Sequence, residues 1–197
     1  MQKKFKFTLV EILVATGIIA VLAGIGFAGY SYAVSSGREK GTRMIIQQVA
    51  TALDTCQNKL GFYPVCTAYD KITLTFENDI PSEISFGSTK FKKDDASPAK
   101  KKFFNLIIKT LDVQMFLING VAETDNSDSK IKRFVLRDHW GNEIYYKYPK
   151  GINGNKYDLI SAGVDGKFGS DNADTPVDGK GKYLDGKDWV CDDVANF

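Results

Sequence analysis

The chain is poor in the residues on which metal and redox chemistry most often rest. One histidine, His139, and three cysteines in 197 residues leave no set for a His-rich metal centre or a four-cysteine zinc site. A surplus of one charge is missing too. The 26 Lys and Arg stand against 24 Asp and Glu, a formal +2, which excludes the obvious basic excess of a dedicated nucleic-acid binder. No G-x-S-x-G nucleophile motif accompanies His139, which sits among turn residues, so the chain does not read as an enzyme. There is no internal repeat. At 43% hydrophobic and 25% charged the chain has the composition of a folded domain, and its length suits one domain or a domain with an appendage.

What is present is unevenly distributed. A basic leader, Met1-Gln2-Lys3-Lys4-Phe5-Lys6, precedes Phe7-Thr8-Leu9-Val10-Glu11, and Ile12 to Val34 then continues for 23 residues without a charge. That suffices for a bilayer-spanning helix, which needs about 20 apolar residues. Lysines ahead of it put the N-terminus on the cytoplasmic side and the remaining chain beyond the membrane. The run exceeds the roughly 7–15 residues of a secretory signal, and no clear A-x-A site precedes the folded part. Glu11 is the anomaly. A carboxylate in an apolar helix costs roughly 2.5–3.5 kcal/mol near the bilayer centre, so it points to a partner.

From Arg38 to Leu60 the pattern stays helical, with Ile45, Val49, Ala52, Leu53, Cys56 and Leu60 on one apolar stripe. Gly61 suits the C-cap and Pro64 prevents continuation. One helix from Phe7 to Leu60 would measure roughly 80 Å, apolar all round in its first half and amphipathic in its second. Beyond it, Ile72-Thr73-Leu74-Thr75-Phe76 alternates as a strand. The lysine-rich stretch Gly87 to Lys102 reads as an exposed loop, and Phe103 to Leu117 as a short helix. Ile131–Arg137, Glu143–Tyr148 and Tyr157–Ser161 read as three strands. Asp138-His139-Trp140-Gly141-Asn142 supplies the turn between the first two, so these are expected to pair antiparallel.

The expected fold is α+β: a long N-terminal helix packed on a small antiparallel sheet, ending in a calcium-type loop. Its parts are a leader (1–6), a spanning helix (7–34), an amphipathic helix and turn (35–64), a variable region (65–130), and the sheet with its acidic loop (131–197). Eight aspartates lie between positions 165 and 193. Hard oxygen donors in a glycine-rich loop suit Ca²⁺, although the EF-hand spacing is absent; solvated acidic turns are the alternative. Cys56 and Cys66 flank the helix end, where a bridge closing a short loop would contribute about 3 kcal/mol. Free buried thiols are the other possibility, and Cys191 makes two further pairings possible.

Two stretches resemble a known family. The leader, Phe7-Thr8-Leu9-Val10-Glu11-Ile12-Leu13 and the apolar helix are similar to the N-terminus of type IV pilins and secretion pseudopilins. The resemblance implies that a prepilin peptidase cuts between Lys6 and Phe7 and methylates the new amine, and that Glu11 pairs with a neighbouring subunit's N-terminal amine. Lys6 stands where the family usually has Gly. Ala28, flanked by Gly24, Gly26 and Gly29, stands where it often has Pro. Such a cut removes three lysines and takes the formal side-chain charge from +2 to −1.

The second stretch resembles the major pseudopilin of type II secretion. Asp138-His139-Trp140-Gly141-Asn142 is similar to its D-P-W-G-N, Tyr157-Asp158-Leu159-Ile160-Ser161-Ala162-Gly163-Val164-Asp165-Gly166 to its Y-D-L-x-S-x-G-x-D-G, and Asp192-Asp193-Val194-Ala195-Asn196-Phe197 to its ending. The resemblance implies one Ca²⁺ held by Asp165, Asp193, the Ala162 carbonyl and Asp192, with Thr175 to Cys191 inserted within the loop. It further implies a homopolymeric filament whose partners are an inner-membrane platform, a cytoplasmic motor ATPase and minor pseudopilins. The subunit would be a single-pass inner-membrane protein with a periplasmic head. The alternatives are an adhesive pilus subunit, or a membrane-tethered module that binds a glycan through Tyr145, Tyr146 and Trp189 without polymerising.

Overall fold

The computed structural model describes residues 8–119, 122–124, 130–152, 154, 156–176, 183–185, 188–189 and 193–196. The chain forms two units, Met1–Arg38 and Glu39–Phe197, and one helix, α1 (Leu9–Leu60), contributes to both.

In the first unit α1 begins at an N-cap, Thr8, and presents apolar side chains on every side. Leu9, Leu13, Ile19, Leu22, Ile25, Phe27 and Tyr32 are all more than 60% exposed. This stretch is long and apolar enough to cross a membrane. Left in water, so much uncovered apolar surface is unfavourable at about 25 cal/mol per Å².

In the second unit the same helix becomes one-sided, as its spacing predicts. Ile45, Ile46, Val49, Ala52, Leu53 and Cys56 are buried, while Arg43, Met44, Gln47 and Gln48 on the other face are exposed. Gly61, at φ 83°, ends the helix by donating its N–H to the Gln57 carbonyl at 2.8 Å. Only glycine adopts that left-handed cap without strain.

The sheet is built on β1 (Cys66–Glu77), followed by β2 (Ile80–Phe86) and β3 (Thr89–Lys92). Asn78 and Asp79, both at positive φ, make the tight turn between β1 and β2. Two helices follow, α2 (Pro98–Thr110) and α3 (Gln114–Asn119). The remaining strands are β4 (Ala122–Thr124), β5 (Ile131–Val135), β6 (Ile144–Tyr148), β7 (Asp158–Ser161), β8 (Leu184–Asp185), β9 (Asp188–Trp189) and β10 (Val194–Ala195). The main sheet runs β10-β7-β6-β1-β2-β3, with β5 against β1 and β4 on β5. The α+β architecture expected from sequence is the one observed.

Three local expectations are corrected. The segments around 131–137 and 143–148 do not form a hairpin of two full strands. Both run antiparallel to β1, β5 against residues 73–77 and β6 against residues 66–71, so they lie end to end along it. Between them residues 136–143 leave the sheet as a short excursion, closed by Ile144 N–H donating to Leu136 O at 3.0 Å and by the Arg137–Glu143 bridge. A strand of 12 residues is long enough to take two short partners in succession. The expected loop Gly87–Lys102 contains β3 and the first turn of α2, anchored by buried Phe91 and by Pro98 in the helix's opening turn. The expected helix Phe103–Leu117 is two helices. Leu111 ends α2 in an extended conformation, and the Asp112 carboxylate accepts the Gln114 N–H at 3.0 Å to start α3.

The core joins these pieces through aromatic rings. Phe91 meets Phe103 at 4.1 Å, Phe86 meets Tyr146 at 5.0 Å, and Tyr63 meets Tyr157 at 4.9 Å between centroids. Each such phenylalanine contributes about 1.5–3 kcal/mol by leaving water. The variable region thus shares one core with α1 and the C-terminal strands.

Candidate functional site

Three groups of residues carry the functional expectations: the start of α1, the turn at 138–142, and the loop between β7 and β10. Lys6, Phe7, Cys191 and Asp192 lie outside the described residues.

Glu11 sits at the third position of α1 and closes a reciprocal cap with Thr8. The Glu11 carboxylate accepts the Thr8 N–H at 2.8 Å and the Thr8 hydroxyl at 2.9 Å, and Glu11 N–H donates to Thr8 Oγ1 at 3.3 Å. This is a T-x-x-E capping box. The spacing is visible in the sequence, but the sequence reading gave Glu11 only an intermolecular task.

The turn is organised by Asp138, which is 1% exposed. Its Oδ1 accepts the N–H groups of Trp140 and Asn142, both at 2.8 Å, and its Oδ2 accepts the Ser161 hydroxyl at 2.6 Å. Asn142 Nδ2 donates to Gly163 O at 2.7 Å. The excursion between β5 and β6 is thereby fastened to the end of β7, where the acidic loop begins. His139 N–H donates to Thr42 Oγ1 at 3.2 Å, and the imidazole packs against Gly41, where a Cβ would overlap the ring. Sequence reasoning recognised these residues as a turn and a motif but not their bonds to Thr42, Ser161 and Gly163. Their spacing, an aspartate followed by N–H groups two and four residues on, is the signal that identifies such a turn.

At the loop, Val194 pairs with Ser161 in the antiparallel β7–β10 ladder. The next pair outward in that register is Ala162 opposite Asp193, so these two expected ligand positions are brought together, and both are buried. Asp193 Oδ2 accepts the Gly169 N–H at 2.6 Å, which folds the loop back over β10. Asp165 is exposed, its Oδ1 accepting the Lys167 N–H at 2.8 Å. Lys167 Nζ binds Asp174 Oδ1. That contact holds the lysine above its ordinary pKa and the aspartate below its own. Among the described residues no three His, Cys, Asp or Glu side chains gather as a metal centre. The end of β10 is pinned by Asn196, whose Oδ1 accepts Leu159 N–H at 2.8 Å and whose Nδ2 donates to Tyr157 O at 3.1 Å.

Cys56 and Cys66 are free and buried. Cys66 Sγ donates to Ala68 O at 3.1 Å. Burial pushes the Cys56 thiol up to about 12 and, together with the Asp70 carboxylate, the Cys66 thiol up to about 11. Of the aromatics offered for glycan stacking, Tyr146 is fully buried and donates to Pro64 O at 2.7 Å, while Tyr145 packs edge-on against Phe168. Both serve the core.

Residues 116–179 match the family model described as type II secretion system (T2SS), protein G. The matched segment contains β5, the Asp138 turn, β6, β7, Ala162 and Asp165; Glu11 and Asp193 fall outside it. It starts at Phe116, inside the region that the sequence reading left without a resemblance. No curated protein and no solved structure matches the chain. The match supports a pseudopilin-like role in type II secretion.

Proposed function

We propose, from this likeness to type II secretion protein G, that the chain is the structural subunit of a type IV pilin-like filament, a pseudopilus that helps export proteins. The observation that carries the reading is the family match across β5, the Asp138 turn, β6 and β7. The exposed apolar length of α1 supports it, because such a surface needs either lipid or a bundle of like helices around it. In this reading a prepilin peptidase cuts between Lys6 and Phe7 and methylates Phe7. The chain waits in the inner membrane with its N-terminus cytoplasmic and its head periplasmic. A platform and a motor ATPase then draw it into the filament, alongside minor pseudopilins. Glu11 pairs with the N-terminal amine of the neighbouring subunit, since neither charge tolerates burial alone.

Intact mass and N-terminal sequence of the protein from its native membrane test this. A chain beginning at methylated Phe7 is expected; one still beginning at Met1 sinks the mechanism. Glu11→Gln separates the residue's two roles, because glutamine still serves a capping box while it loses the charge. This variant is expected to keep its membrane level yet to yield at least tenfold fewer sedimentable filaments after shearing.

The acidic loop extends the proposal to calcium. A buried Asp193 carboxylate opposite the Ala162 backbone offers the hard oxygen donors that Ca²⁺ takes. With Asp165 and Asp192, these residues would hold one ion that ties the loop to β10. The Lys167–Asp174 contact is a competing, metal-free way of neutralising the same loop. Thermal unfolding distinguishes the two. Calcium at about a hundredfold over Kd stabilises by about 2.7 kcal/mol, so the midpoint is expected to rise with calcium, fall with chelator, and stop responding in Asp193→Asn. An unchanged midpoint removes calcium from the account.

A further inference from the structure

Strand β7 is buried along its whole length, and different parts of the chain cover its two faces. Tyr157 and Leu159 belong to the main core that α1 shares. Ile160 and, just past the strand, Ala162 fall on the opposite face by the two-residue alternation of extended chain. They gather with Phe168 and Tyr183 into a separate buried cluster, against which Tyr69 of β1 and Tyr145 of β6 also pack. Small cores of this kind form beneath long loops. Phe168 and Tyr183 are the acidic loop's own contribution, and both are 2% exposed or less. Phe168 meets the Tyr145 ring edge-on at 5.3 Å. It also closes a turn with Ala173 through backbone hydrogen bonds of 2.8 and 3.0 Å. Tyr183 directly precedes the β8–β9 hairpin.

The loop is therefore two-sided. Its rings face β6 and β7, while Asp165, Asp171 and Asp174 are exposed. Removing the rings would open the second face of both strands to water, and the burial that opposes this needs no ion. A tie made by carboxylates through a metal depends on free calcium; a tie made by rings does not. Tyr183 lies beyond residue 179, where the family match ends, so this half of the anchor is additional to the matched segment. We infer that Phe168 and Tyr183 form a metal-independent latch, which keeps the acidic loop closed over β6 and β7 with or without calcium. The latch stands apart from the filament reading. It leaves to calcium only the stabilisation of a loop already in place.

Hydrogen exchange read by mass spectrometry tests it on the full chain in detergent, with calcium and with a chelator. The reporter is the stretch 166–176, where the N–H groups of Phe168, Gly169 and Ala173 are all hydrogen-bonded. Residues 72–76 of β1 are the reference for the rest of the head. In the unsubstituted chain the reporter is expected to exchange within about twofold of the same rate in both conditions. In chelator, Tyr183→Ala is expected to speed the reporter by about tenfold or more and to leave the reference unchanged. Tyr183→Phe is expected to keep the reporter slow, because the ring is the anchor. A reporter that exchanges about tenfold faster in chelator than in calcium, in the unsubstituted chain, makes the metal the tie and overturns the latch. So does a Tyr183→Ala chain whose reporter stays slow in chelator. If Tyr183→Ala also speeds the reference, Phe168→Ala takes its place, and the same two outcomes decide.

Discussion

Asp138 shows how much one side chain can organise. Its carboxylate is buried and accepts two backbone N–H groups and a hydroxyl, bonds that are stronger than neutral ones because the acceptor is charged. Truncation to alanine leaves those donors without a partner in a dry site. Asp138→Ala is expected to destabilise the head by about 3 kcal/mol, and Asp138→Asn by less, as measured by urea unfolding of the full chain in detergent. Both should loosen the acidic loop as well, because the turn holds Ser161 through Asp138 and Gly163 through Asn142. The residue types here are legible as a motif, yet their partners are not. Nothing between Asp138 and Ser161 in the sequence announces that the two touch. The Thr8 contact of Glu11 was missed for another reason: an expected partner outside the chain obscured this one, three residues away.

Elements meet through the tyrosines. Tyr63 donates to Asp54 Oδ1 at 2.9 Å, and Tyr157 donates to the same oxygen at 3.2 Å and to Ala50 O at 3.0 Å, fastening α1 to the chain after Gly61 and to the start of β7. Burial, then the Asp54 carboxylate, pushes Tyr63 from 10 up to about 12; burial raises Tyr146 and Tyr157 in the same direction. An unfolded chain releases these protons near pH 10 while the folded one retains them. The associated stability is therefore full below pH 10 and is lost as pH rises from 10 towards 12. The melting temperature should fall across that window; a melting temperature that stays level from pH 10 to 12 would contradict this. At this scale the sequence reading did well where burial is periodic, as in the stripe Ile45 to Cys56 and in Ile72 to Phe76. It failed where a short element has one buried anchor, as β3 has in Phe91. It also failed where turn chemistry was taken to choose the pairing. Asp138 to Asn142 makes a tight turn, but β1 is the longer template and captures both flanking strands.

For the whole molecule the decisive contrast is between a unit whose apolar side chains face outward and one whose apolar side chains are enclosed. The buried residues of the core begin at Ile45, so the head holds its core within itself. A chain starting at Glu39 is expected to be soluble without detergent and to unfold cooperatively within about 4 °C of the full chain, as calorimetry would show. A non-cooperative or much lower transition would mean that the apolar half of α1 supports the head. The apolar run and its length were readable from composition alone. The pairing of both β5 and β6 with β1 was not, because it depends on strand order, which no local pattern contains.

The division of β1 has a consequence for how such a head tolerates change. Along one side it pairs first with β6 and then with β5, both in the segment that matches the protein G family model, while its second half also pairs with β2 and, through it, β3. The β2–β3 hairpin thus extends the sheet from a strand that β5 and β6 already hold. Exposed positions within residues 78–110 can change and remodel one edge of the molecule, whereas Phe86, Phe91 and Phe103 are tied into the common core through Tyr146 and one another. One strand thereby joins the segment that matches the family model to the edge that does not.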